Sequence, residues 1–242
     1  ADLPFLAFWM LSIVLTMKSA ADRRFIPLAV IAMAACSLIA YQSVLLIPLL
    51  GLWMWHEKRL RLAPLLLVPA IALAGYQVFE RLSSGNLPAQ VLAGHFQSYG
   101  LQRIEMKLKS ATALTGHLIV MLSPLAVWAL IRRRQWFLTA WVAMFFAAAL
   151  ILFFAGSARY LLPLAAPLAI LLVLHFEDRP LLISAAFAWS LAIGLGLAWV
   201  NYQHWDAYRT FLSEARLPLP DGSTRRLWVN GEWGLRHYSE AA

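Results

Sequence analysis

The residues with the clearest chemical potential are polar groups at the ends of long apolar runs. Arg159 follows one such run and precedes another. Its guanidinium group carries a fork of N–H donors that fits the oxygens of a phosphate or pyrophosphate. An arginine at a membrane edge can also extend its charged head into water without binding anything. The position of Arg159 in the sequence does not decide between a phosphate ligand and an interfacial arginine.

Asp2, Tyr41 and Gln42 occupy comparable positions. Asp2 precedes Pro4 at the start of the first apolar run, where a carboxylate can bind an acceptor, assist a base or ligate a metal. It can equally cap the helix by accepting bonds from the free backbone amides. Tyr41 and Gln42 interrupt a long apolar stretch, and hydrogen bonding within a helix bundle is the simplest use of such residues there.

Common catalytic and metal-binding motifs are missing from the sequence. No two histidines are three or four residues apart, as a helical zinc site requires, and there is no P-loop, dinucleotide fingerprint or nucleophile elbow. Cys36 lies within an apolar run, where packing is its expected role. We therefore assign no metal site and no cofactor, although a divalent cation stays open.

The composition indicates the class of protein, and therefore the kind of secondary structure, to which these residues belong. Hydrophobic residues make up 62% of the 242 residues and charged residues 13%, with a mean hydropathy of +0.68. A soluble domain has about 25% charged residues, so a soluble enzyme is excluded. The fold class predicted is an all-α polytopic membrane protein. The net charge of +8 then concerns membrane orientation rather than nucleic acid, which we do not expect as a partner.

Eight apolar runs separated by short polar loops predict about eight transmembrane helices. The predicted spans are Leu3–Met17, Phe25–Ala40, Gln42–Trp55, Leu62–Phe79, Ala111–Ile131, Trp136–Ala155, Leu161–Leu174 and Leu181–Tyr202. The second and third runs could form one long helix, but Tyr41, Gln42 and Ser43 interrupt them at the middle, which favours a tight hairpin.

Basic residues concentrate in four short loops, and eight spans place all four on one face. These loops hold 10 of the 20 Lys and Arg residues, namely Lys18, Arg23, Arg24, Lys58, Arg59, Arg61, Arg132, Arg133, Arg134 and Arg179. The positive-inside rule makes that face cytoplasmic. Asp2, Tyr41, Arg159 and the C-terminal segment are then predicted to lie on the opposite face, most simply that of a bacterial inner membrane.

The predicted outer loop, residues 80–110, contains an amphipathic pattern. From Leu101 to Thr115 apolar residues recur at helical spacing, while Arg103 and Lys107 lie on another side. This pattern predicts a helix in the outer membrane interface. We therefore assign residues 1–202 to a transmembrane helical domain that includes this loop.

Residues 203–242 are more polar and change character. Trp205–Ala215 reads as a helix, Arg226–Asn230 as a strand, and Leu235–Ala241 as the start of another helix. The pattern predicts the beginning of an extracytoplasmic α/β domain. The chain begins with Ala1 and ends within a predicted helix, so we expect it to be a piece of a longer protein.

Four segments resemble one family of membrane enzymes. The segment starting Asp2-Leu3-Pro4 resembles the D-x-P segment of GT-C glycosyltransferases, specifically the dolichyl-phosphate-mannose–protein mannosyltransferase and aminoarabinose–lipid A transferase group. Residues 39–46, with Tyr41-Gln42, resemble that group's K-Y-Q-x-L-L stretch. Residues 158–164, with Arg159-Tyr160, resemble its R-Y-L-L-P motif, and residues 228–238 resemble the start of its outer domain in some bacterial members.

The resemblance implies transfer of a sugar from a polyprenyl-phosphate carrier to a lipid, glycan or protein acceptor on the extracytoplasmic face. It implies that Arg159 binds the donor phosphate, that Tyr41, Gln42 and Tyr160 line the cavity, and that Asp2 orients the acceptor or base. The family's catalytic acid would precede residue 1. Ala40 stands where many members have Lys, so that phosphate contact is either missing or comes from another residue, for which Arg103, Lys107 and Lys109 are the candidates.

Two other classes of function are compatible with the same pattern. A transporter or flippase of an anionic or lipid-linked substrate also fits eight spans and a lone arginine. The sequence shows no internal repeat and no acidic residue in mid-membrane, which argues against it. A non-catalytic assembly subunit is the third class.

Overall fold

A computed structural model describes residues 2–90, 104–132, 135–152 and 158–215 of the chain. About 91% of this part is helical and it contains no strand, which confirms the predicted helical class for the described residues. Residues 216–242, with the predicted strand, lie outside them. The α-helices are α1 (Asp2–Ser19), α2 (Ile26–Ile39), α3 (Leu46–His56), α4 (Leu67–Ser84), α5 (Ile104–Leu122), α6 (Pro124–Arg132), α7 (Trp136–Leu152), α8 (Ala165–His175) and α9 (Pro180–Ala215).

Four 3₁₀ helices precede α-helices, and prolines explain where they occur. They are η1 (Arg23–Phe25), η2 (Tyr41–Leu45), η3 (Leu60–Leu66) and η4 (Ala158–Leu164). Pro48, Pro69 and Pro167 are each the third residue of the α-helix that follows η2, η3 or η4. Proline has no N–H and its ring clashes with the carbonyl four residues earlier. The preceding turn therefore tightens to 3₁₀ geometry instead of continuing as α-helix.

The chain turns back on itself at Tyr41–Leu45, where a hairpin tip was predicted. Arg61 Nη2 donates to the Ala20 carbonyl oxygen at 2.8 Å, which joins the end of α1 to the start of η3. Because α2 leads away from Ala20 and α3 leads back towards Arg61, the direction must reverse between them. Gln77, near the end of α4, is hydrogen-bonded to Tyr41, so α4 runs towards the same turn.

An aromatic core packs α1 against α7. Trp9 is fully buried, with its ring centroid 4.7 Å from that of Phe145 and 6.1 Å from that of Trp141. At the start of α7, Trp136 packs on His56 with a centroid distance of 4.0 Å. The helix α7 therefore begins beside the end of α3 and runs away from it.

The predicted span Ala111–Ile131 is bent rather than straight. The structure breaks it at Ser123, and α5 and α6 meet at 100°. Pro124 disfavours helical geometry at the residue before it, and Ser123 takes a left-handed φ of 69°. The Ser123 hydroxyl then accepts from the Leu125 N–H at 3.2 Å, so it caps α6.

Two described helices are long and apolar enough to cross a membrane. They are Leu60–Ser84, which combines η3 and α4, and Pro180–Phe211 within α9; the bent α5–α6 pair would be a third. The helix α9 runs without a break through residue 202, where the domain boundary was predicted, and includes Trp205–Ala215. The chain divides into two compact units, residues 1–186 and 187–242, and the candidate site lies in the first.

Candidate functional site

The first unit has two chemically different ends. We call the region around Ala20, His56 and Arg61 the Arg61 end, and the region around Tyr41 and Gln77 the Tyr41 end. The helices α2 and α4 both run from the Arg61 end towards the Tyr41 end, as the Arg61–Ala20 and Gln77–Tyr41 hydrogen bonds show. The direction of a helix therefore tells which of its terminal residues lies at the Arg61 end and which lies at the Tyr41 end.

Helix directions place the predicted site positions Asp2 and Arg159 at the Tyr41 end. The helix α1 ends near Arg61, so its first residue, Asp2, lies at the opposite end. The helix α7 starts beside His56 and leads towards η4, which contains Arg159 and Tyr160 and packs against α1, α5 and α7. The structure thus brings these backbone positions to one end, while the side chains of Asp2, Arg159 and Tyr160 lie outside what it describes.

Tyr41 and Gln77 form the best-defined polar contact at this end. Gln77 Nε2 donates to the Tyr41 hydroxyl oxygen at 2.7 Å, across 36 residues of sequence. Gln77 Oε1 accepts from the Ala89 backbone N–H at 2.9 Å. Since a backbone N–H can only donate, the amide oxygen must face Ala89 and the amide nitrogen must face Tyr41. Both ends of the Gln77 amide are therefore fixed.

Tyr76 and Glu80 extend this polar group along α4. The Tyr76 phenol lies beside the Glu80 carboxylate and near Tyr41. The Ser84 hydroxyl lies 3.4 Å from Glu80 Oε2. Arg81, the neighbouring cation, instead donates to the Gly85 carbonyl oxygen at 2.8 Å. Glu80 has no salt bridge to a cation within the described ranges.

Tyr41 was predicted from the sequence as a site residue, but its partners Tyr76, Gln77 and Glu80 were not. Tyr76 and Gln77 repeat the Tyr-Gln pair of residues 41 and 42, within a run that is otherwise apolar, and Glu80 follows one turn later. That spacing places all three on one helix face. The repeated pair was the available signal. Gln42 itself is half-buried, and neighbouring Ser43 is fully buried, with no partner for its hydroxyl among the described atoms.

The predicted contributions of the outer loop are only partly described. Arg103 lies outside the described residues. Lys107 belongs to α5, and residues 104–115 of the predicted amphipathic helix are helical. Leu114 and Leu118, one turn apart, form the buried side of α5, whereas Leu108 is 63% exposed. The bend at Ser123 directs α5 across α6 rather than along it.

The Arg61 end carries a group of exposed cations. Lys18, Arg23, Arg24, Lys58 and Arg59 are exposed there. The nearby carboxylates are already engaged, because Asp22 accepts from the Arg24 N–H at 2.9 Å and Glu57 lies 3.2 Å from His56 Nδ1. The end therefore presents an excess of positive charge outward.

Within the described ranges, no three His, Cys, Asp or Glu side chains are grouped closely enough to hold a metal ion.

The comparisons with known proteins assign the chain to no family. No model of a protein family, no curated protein and no solved structure matches the chain. Its function must be argued from the site itself.

Proposed function

We propose that the chain is the membrane part of a glycosyltransferase that uses a polyprenyl-phosphate-linked sugar. The observation that carries this proposal is the convergence of three segments at the Tyr41 end. These are the start of α1 with Asp2, the turn at Tyr41, and η4 with Arg159, and they are the three described segments that resemble the GT-C family. A shared active site is a physical reason for such segments to meet.

The proposal includes about eight membrane crossings. A 3₁₀ helix rises about 2.0 Å per residue and an α-helix about 1.5 Å, so η4 with α8 is roughly 30 Å long. By the same arithmetic η1 with α2 and η2 with α3 are each roughly 27 Å long, close to the hydrocarbon thickness of about 30 Å. The crossing formed by α5 and α6 is the bent one.

The orientation follows from the charge of the two ends. The Arg61 end, with its exposed cations, faces the cytoplasm of a bacterial inner membrane. The Tyr41 end then opens on the extracytoplasmic side. A polyprenyl-phosphate donor reaches this end through the membrane.

The proposed reaction is an inverting displacement at the anomeric carbon. An acceptor oxygen or nitrogen attacks that carbon, a carboxylate base takes the acceptor's proton, and the bond to the phosphate oxygen breaks. The polyprenyl phosphate leaves with the negative charge, which Arg159 stabilises. Asp2 orients the acceptor or the base.

Substitution of Arg159 in the full-length protein tests the proposal. Loss of a charge-assisted hydrogen bond costs about 1.5–3 kcal/mol, so Arg159→Ala should slow transfer from a polyprenyl-phosphate sugar roughly 10- to 150-fold. Arg159→Lys should recover only part, because lysine lacks the planar fork. Equal rates for all three proteins would reject the assignment. Movement of the intact donor across the membrane, without cleavage of its sugar–phosphate bond, would favour a flippase instead.

A further inference from the structure

The last two turns of α4 have an inverted polarity. Tyr76, Gln77 and Glu80 are half-buried on the side that faces the bundle. The opposite side carries Phe79, which is 65% exposed, and Leu82, which is 82% exposed. A helix in water would show the reverse arrangement. In a membrane, polar residues that face the bundle interior mark a path or site for a polar ligand.

Tyr41 and Glu80 keep part of their hydrogen-bonding capacity in these contacts. The Tyr41 oxygen accepts from Gln77, so the Tyr41 proton is left to donate to a ligand. The Gln77 amide is fixed by its second bond, to Ala89, and keeps Tyr41 in place. The Glu80 carboxylate already accepts from the Tyr76 phenol and lies 3.4 Å from the Ser84 hydroxyl. Two carboxylate oxygens can accept more than these bonds, and no described cation neutralises their charge.

The available groups determine the class of ligand. One phenol donor and a carboxylate acceptor match hydroxyl groups, which can both donate and accept. The Glu80 charge repels a phosphate, so the phosphate of the donor must lie elsewhere. The rings of Tyr41 and Tyr76 add apolar faces of the kind that a sugar ring can cover.

We propose that Tyr41, Tyr76, Gln77 and Glu80 form the subsite that binds the hydroxyl groups of the donor sugar. This inference rests on the proposed function and adds the residues that recognise the sugar. Glu80 accepts hydrogen bonds from sugar hydroxyl groups, and Tyr41 donates one to a sugar oxygen. Gln77 is a positioning residue that acts through Tyr41. Arg159, at the same end, takes the phosphate.

Binding to carriers with and without a sugar tests this subsite. The full-length protein in nanodiscs would be titrated with undecaprenyl phosphate, and with undecaprenyl phosphate linked to glucose, galactose, mannose or arabinose. The wild type should bind at least one sugar-linked carrier more tightly than the bare carrier. Glu80→Gln should weaken binding of that carrier roughly tenfold or more, since a bond to a charged group is lost. Gln77→Leu should weaken it less.

Binding of the bare carrier serves as the folding control, and neither variant should weaken it. Glu57→Gln is the matched control, because this carboxylate lies at the Arg61 end beside His56. If Glu80→Gln keeps the full preference for the sugar-linked carrier, the subsite is wrong while the proposed function stands. If the wild type binds neither kind of carrier, the proposed function itself is wrong.

Discussion

The two ends of the first unit use polar residues in opposite ways. At the Arg61 end the charged side chains are exposed, although Arg61 donates to the Ala20 carbonyl and the Lys18 ammonium lies over the Phe25 ring. At the Tyr41 end Tyr76, Gln77 and Glu80 turn inward while apolar side chains cover the outside. The difference teaches that charge count alone does not locate a site in a membrane protein. The direction of the polar side chains does.

Removal of the core between the ends should have the largest effect. Trp9 is fully buried against Trp141 and Phe145. Trp9→Ala should lower the free energy of unfolding by about 3–5 kcal/mol, as large-to-small core changes do. Trp55, which is 70% exposed, is the matched control, and its replacement by Ala should cost far less. Equal losses in a detergent unfolding assay would contradict the packing described.

At the Arg61 end we expect a smaller and selective effect. Arg61→Ala removes the bond to the Ala20 carbonyl and should reduce the free energy of unfolding by about 1–2 kcal/mol. Arg59 is exposed and only two residues away, so Arg59→Ala should cost less than about 0.5 kcal/mol. If both variants unfold alike, charge rather than the specific contact holds the loops together.

At the Tyr41 end the matching change is Tyr41→Phe. It removes the acceptor of the Gln77 amide, and a neutral bond of this kind contributes about 0.5–1.5 kcal/mol. The same variant should weaken binding of the sugar-linked carrier. Tyr202→Phe is a matched control in the other unit. A Tyr41→Phe protein with normal stability and normal sugar binding would show that this contact is incidental.

The smallest predicted effect is a gain in stability. Lys58 has a φ of 54°, and the bond from Arg59 N–H to the Met54 carbonyl closes the end of α3 in the manner of a Schellman motif. Glycine fits this left-handed position without strain, so Lys58→Gly should stabilise by up to about 1 kcal/mol. Lys58→Ala keeps the β-carbon and should gain nothing. If Lys58→Ala were also more stable than the wild type, the effect would come from loss of the lysine charge.

Much of the helical structure was predictable because each predicted apolar run contains helix, although the run Ala111–Ile131 contains parts of two helices. The reversal at Tyr41–Leu45 was foreseen from three polar residues in a long apolar stretch. The 100° bend at Ser123 was not, although Pro124 marks its place. A proline can kink, cap or simply be tolerated in a membrane helix, and only the packing around Ser123 decides which.

The candidate site was less predictable than the fold. Tyr41 could be selected because it breaks an apolar run, and its position at a turn followed. Its partner Gln77 lies 36 residues away, and no local pattern joins the two. Long-range contacts of this kind depend on the register between α2, η2 and α4, which a single sequence leaves open. The roles of Asp2, Arg159, Tyr160, Lys107 and Arg103 stay predictions.

Opposite exposure of the two ends is the central claim, and thiol labelling in intact cells measures it directly. Ala21 at the Arg61 end and Asn86 beyond α4 are both exposed, whereas native Cys36 is fully buried. An impermeant maleimide should label Asn86→Cys in intact cells and Ala21→Cys only after permeabilisation. Labelling of Ala21→Cys with protection of Asn86→Cys would reverse the orientation. Labelling of both in intact cells would show that the two ends do not lie on opposite faces.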